Sequence, residues 1–151
     1  MSNVAQTPNS LGFRDRTDET QLRAAAAGTG SDVATDALPC GGFSILTPTI
    51  DYDATGDETS YTLTPQVSFD GGTRWRRAGF ADQPSGGTRA LTAPPILITR
   101  ADYSGATNSF TGPPIDVRGA SLFRFLVKKT GGSAPGPLGI GAALGMSPVF
   151  A

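Results

Sequence analysis

The stretch from Tyr61 to Trp75, YTLTPQVSFDGGTRW, constrains the fold more than any other part of this chain. From Tyr61 to Asp70 the sequence alternates. Tyr61, Leu63, Pro65, Val67 and Phe69 point one way, and Thr62, Thr64, Gln66, Ser68 and Asp70 the other. A period of two marks a half-buried strand. Asp70-Gly71-Gly72 then supplies residues that tolerate positive φ, the chemistry of a tight hairpin turn. Trp75 falls on the returning strand. An antiparallel β domain follows.

Other segments extend the pattern. FSILTPTIDY reads as a strand with Phe43, Ile45 and Thr47 sharing a face, and 55–58 as a turn. Pro94-Pro95 leads into a strand at Ile96–Thr99, because proline cannot donate to a ladder and belongs at a strand start or edge. In SLFRFLVKKTGG, Phe123, Phe125 and Val127 alternate with Leu122, Arg124, Leu126 and Lys128. In GPLGIGAALGMSPVF, Ile140, Ala142, Leu144 and Met146 share one face, and Gly139, Gly141, Ala143 and Gly145 make the other smooth. Residues 82–87 and 101–114 read as loops, the second long enough to carry a contact surface. The expected class is all-β: an antiparallel β-sandwich or jelly-roll-like barrel over 43–151, with an extended or partly disordered N-terminal arm over 1–42. Within the arm, DETQLRAAAAG reads either as a short helix stopped by Gly28 or as a strand-like tail.

Bulk composition agrees. Apolar residues make up 38%, with 20 glycines and 12 prolines, which favours turns and extended segments over long helices. A globule of 151 residues buries roughly 70% of its unfolded surface, enough for a core. The net charge of −1 gives no global pull toward nucleic acid or an anionic membrane, and neither is expected as a partner. Histidine is absent, which removes the usual base near neutral pH and the commonest metal ligand. Cys40 stands alone, so an internal disulfide is excluded, and synthesis in a reducing cytoplasm fits.

The candidate sites are few. Ser68, Asp70, Gly71, Gly72 and Trp75 fit S-x-D-x-G-x-x-W, which resembles the Asp-box of sialidase-like propellers. The resemblance implies that Asp70 holds the turn by accepting backbone N–H groups and that Trp75 packs beneath it as a core anchor. The box occurs once here, too seldom for a propeller. Arg74, Arg76 and Arg77 surround Trp75, a pattern that can bind nucleic acid or sugar phosphates; the simpler reading is a solvated or ion-paired strand surface, and the functional one an intersubunit contact of Arg74 and Arg76 to a carboxylate. Tyr103, in the long loop, is a further candidate for that contact. Asp51, Asp53, Asp57 and Glu58 crowd one turn. Counted from Asp51, Gly56 falls where a calcium loop wants glycine, but position twelve is Thr62 rather than Glu, so a solvated turn is the simpler reading. Ser68, Ser104 and Cys40 are nucleophile types without a histidine, and Lys128 and Lys129 are their only conceivable basic partners. No catalytic residue, cofactor site or metal site is assigned, and no enzymatic activity is expected.

Taken whole, residues 40–151 resemble a small virion protein of a tailed bacteriophage. A Gly/Ala/Thr-rich arm precedes the domain. The strand YTLTPQVSFDGGTRW, the basic residue inside the aromatic alternation of DVRGASLFRFLVKKTGG, and the Gly-rich GIGAALGMSPVFA carry the likeness. It is most like a capsid decoration, or cement, protein. The resemblance implies a non-enzymatic protein of the virion that binds the major capsid protein on the outer shell surface and stabilises it, as a homo-oligomer, often a trimer. A tail or neck component has much the same look. A carbohydrate-binding β-sandwich is the other reading, with Trp75, Tyr52, Tyr61 and Tyr103 as its aromatic candidates.

Overall fold

The computed structural model describes residues 17–79, 95–103 and 106–146. Residues 1–16 of the expected arm, the expected 82–87 loop and Ser104 lie outside them. Eleven strands occupy the described residues: β1 (Thr20–Ala26), β2 (Val33–Ala34), β3 (Leu38–Pro39), β4 (Ile45–Asp53), β5 (Ser60–Ser68), β6 (Arg76–Arg77), β7 (Ile96–Thr99), β8 (Thr107–Thr111), β9 (Ile115–Asp116), β10 (Leu122–Thr130) and β11 (Leu138–Gly145). The first sheet runs β1-β11-β4-β8, with β9 also on β4. The second runs β2-β10-β5-β6, with β3 also on β10 and β7 on β5. The ladders are antiparallel, and the sheets pack face to face as a sandwich rather than closing into a barrel.

Alternation in the sequence builds the core. β5 and β10 pair from Ser60↔Thr130 to Ser68↔Leu122, which sets Leu63 opposite Val127 and Val67 opposite Phe123. β4 and β11 set Leu46, Ile50 and Tyr52 opposite Leu144, Ile140 and Leu138. These side chains are buried between the sheets. Each contributes about 1.5–3 kcal/mol of transfer free energy.

Two prolines sit in central strands, where a missing amide normally breaks a ladder. Both fall at gaps. Pro65 lies between the segments of β5 that pair with β7 and with β6. Pro48 lies between the segments of β4 that pair with β9 and with β8. The flanking ladder is already interrupted at each, so the proline takes no strand bond from that side.

Several expectations change. In β4 the inward face is Leu46, Pro48, Ile50 and Tyr52, while Ile45 and Thr47 share the outer one; Phe43 precedes the strand and packs against the core. In β5 the alternation ends at Val67: Ser68 is also buried, and Phe69 swings out to 56% exposure. Residues 20–26 form a strand, not a helix. The alanines favour helix intrinsically, but a strand here gains the β11 ladder and buries Leu22, leaving it 3% exposed. Arg23 fixes the irregular register by donating from Nε to the Leu138 carbonyl (3.1 Å). The 101–114 segment is not all loop, since β8 runs through it.

Candidate functional site

The hairpin after β5 is held by the Ser68 and Asp70 side chains. Ser68 Oγ donates to Asp70 Oδ1 (2.9 Å) and accepts from the Gly72 N–H (2.8 Å), while Asp70 Oδ1 accepts from the Arg74 N–H (2.9 Å). The Arg74 N–H and then the Ser68 hydroxyl hold the Asp70 carboxyl below its ordinary range. Gly71 and Gly72 take φ of 73° and 101°, the left-handed region where a side chain is strained. Ser121 ties the turn to the approach of β10, accepting from the Gly71 N–H (3.2 Å) and donating to the Ser68 carbonyl (3.0 Å). Arg74 lies over its own turn, 3.5 Å from Asp70 and well exposed.

Trp75 is not in the core. It is half-buried on the outer face of the second sheet, beneath Arg124, whose guanidinium carbon sits 4.1 Å from the ring centroid. Arg124 Nε donates to Gln66 Oε1 (2.8 Å). Gln66 lies opposite Arg124 on one side and Arg77 on the other, so the three form one row across β10, β5 and β6. Lys128 and Leu97 flank Thr62 in a second row, and Leu97 is 63% exposed. The side chains of Arg76, Arg77 and Lys128 have no hydrogen bond or ion pair among the described residues. The sequence showed arginines beside an indole, but the β5–β10 register that brings Arg124 onto it is a long-range pairing that no local signal encodes.

The two sheets differ in charge. The strands of the second carry Arg76, Arg77, Arg124, Lys128 and Lys129 and no carboxylate. The strands of the first carry Asp51, Asp53 and Asp116 against one base, Arg23. Arg23 is occupied by the carbonyls of Leu138, Ala26 and Ala27.

The acidic turn serves as a clasp. Asp57 accepts from the Ser133 and Ala134 N–H groups (3.1 and 2.8 Å), which hold its carboxyl below the usual carboxylate range. Glu58 is fully buried, accepting from the Gly136 N–H (3.0 Å) and the Tyr52 hydroxyl. Burial, then the bond to Glu58, pushes the Tyr52 phenol well above its ordinary value. Tyr61 donates to the Gly136 carbonyl (2.5 Å) and accepts from the Gly28 N–H (2.9 Å). Asp51 accepts from the Ser109 hydroxyl (2.5 Å) and Asp53 from the Thr55 N–H (3.2 Å). Among the described residues no three His, Cys, Asp or Glu side chains converge on a metal position. The buried Glu58–Tyr52 pair was missed in the sequence, where Glu58 looks like one more polar turn residue.

The remaining candidates are in structural surroundings. Tyr103 is half-buried, stacked on Phe110 (centroids 5.0 Å apart, planes at 13°) and edge-on to Tyr52 at 5.6 Å. Cys40 is buried, and desolvation raises its thiol to about 11, which suppresses the reactive thiolate. Lys129 donates to the carbonyls of Gly131 and Gly132 at its own strand end. Along the first sheet run two shallow grooves of about 250 and 140 Å³. Glu19 and Asp51 line both.

No protein-family model and no curated protein matches the chain. Among solved structures it is similar to the SPBc2 prophage-derived protein YomS, with 14% identity and a TM-score of 0.46 over 86% of this chain and 92% of that one. A likeness this slight carries no argument about role.

Proposed function

We propose that this chain is a non-enzymatic structural protein of a tailed-phage particle, which binds the outer surface of the capsid shell through the major capsid protein and stabilises it as a homo-oligomer. One observation carries the binding role. Among the described residues, Trp75, Arg77, Arg124, Lys128 and Leu97 are spread over a broad sheet face rather than gathered in a cleft. Small-molecule sites enclose their ligand in a concave pocket. Protein interfaces use extended surface with aromatic and arginine anchors and apolar groups between them. The phage setting rests on the sequence resemblance of residues 40–151. The carbohydrate reading loses its platform, because Tyr52 and Tyr61 are buried, Tyr103 is stacked on Phe110, and one face of Trp75 lies under Arg124.

The test is co-sedimentation of the purified chain with shells from which it has been stripped. Saturable binding at a fixed number of copies per shell is expected. Failure to bind at any concentration up to about 100 times a micromolar Kd would overturn the reading.

A further inference from the structure

We propose that the outer face of the second sheet is the surface that docks, and that its occupant is a carboxylate-bearing face of a protein shell. This rests on the shell-binding reading above and assigns the face and the chemistry of its partner.

Three observations point the same way. Charge differs between the outer faces: Arg77, Arg124 and Lys128 stand outward on the second sheet, while Arg76 and Lys129 share the phase of the buried Val67 and Tyr61; on the first, Asp51 and Asp53 stand outward and Asp116 is paired with Arg118. With a net charge of only −1, the molecule is therefore polar across its thickness rather than charged overall. Such a sandwich approaches an acidic surface with the second sheet foremost, since complementary fields steer encounter and suppress wrong orientations.

Arg124 is set in advance as well. Its guanidinium lies on the Trp75 ring and is keyed by Gln66 through Nε. That leaves the two terminal nitrogens, which carry no hydrogen bond among the described residues, as a fixed fork of the kind that takes a carboxylate bidentately. Fixing the side chain beforehand lowers the ordering cost of binding. Arg77 stands on the same row across Gln66, so two guanidinium groups flank one position.

The third observation separates protein from nucleic acid. Leu97, Leu122 and Leu126 lie on outward positions among these cations, opposite Thr62, Ser68 and Thr64. Apolar groups between charges suit a protein interface. Single-stranded nucleic acid needs open aromatic faces for stacking bases, and Arg124 already covers one face of Trp75, the one tryptophan of the chain.

Two double variants decide it. Arg77→Glu with Lys128→Glu reverses the second-sheet face at residues whose side chains make no hydrogen bond or ion pair among the described residues. Glu19→Lys with Asp51→Lys alters the opposite face by the same amount of charge. Both are checked for folding by the emission of Trp75 and by thermal unfolding. In co-sedimentation with stripped shells, the first variant is expected to weaken binding at least about tenfold and the second to leave it within about twofold. Equal binding by wild type and the first variant, or loss confined to the second, overturns the face assignment while leaving the shell reading intact. No binding by wild type overturns both. Tighter binding to single-stranded DNA than to shells, lost in the first variant, makes nucleic acid the occupant and overturns the inference.

Discussion

At the scale of single residues, backbone proximity and buried polar groups decide most. Gly136 sits where the arch between β10 and β11 passes the end of β4, and a Cβ there would lie on the Asp53 carbonyl oxygen, a backbone atom with no freedom to yield. Gly136→Ala is therefore expected to cost about 3 kcal/mol, at the upper end for overpacking, read as a lower urea midpoint with an unchanged slope. Asp57 tests the clasp by pH. Its native carboxyl is held low by the Ser133 and Ala134 amides, so the stabilisation is full above the ordinary Asp value of about 4. It is lost as pH falls through the lowered native value. Asp57→Asn should lower the melting temperature at pH 7, and the gap to wild type should close on acidification. A gap that persists at pH 2 would contradict the clasp.

At the scale of elements, the sequence displayed whatever has a short period. β5, β10 and β11 were legible because each alternates over its own length, β7 because Pro94-Pro95 marks its start, and the Ser68–Asp70 turn because its bonds stay within a few residues. β1 was ambiguous: its alanines carry no period, and only the β11 edge, more than a hundred residues away, selects a strand. β4 was placed but its buried face, Leu46, Ile50 and Tyr52, was not singled out, since Ile45 and Thr47 alternate as well as these do. Choosing between them requires knowing which register meets β11. The Arg124–Trp75 pair was illegible for the same reason. The β1 assignment makes a prediction of its own. In the free chain, β1 amides that bond to β11 should exchange slowly, and Leu22→Ala should cost about 2–4 kcal/mol and deprotect them selectively. Fast exchange across residues 20–26 in the wild type would contradict it.

At the scale of the whole molecule, the sandwich has two unlike outer surfaces. One is cationic and dotted with leucines around a tryptophan-backed arginine; the other is smooth, with glycines along β11 and carboxylates beside them. Under the proposed docking, a body of this kind is expected to bind flat and in one orientation. Attachment through the cationic face is expected to weaken steeply with salt, because exposed charges are screened beyond about 8 Å at physiological ionic strength. The most direct measurement is an electron cryo-microscopy reconstruction of the native particle carrying this chain. Many copies are expected on the outer shell, with Arg77 and Arg124 turned toward carboxylates of the capsid protein. A particle without the chain on its shell, or copies seated with the β10–β5–β6 face toward solvent, would contradict it.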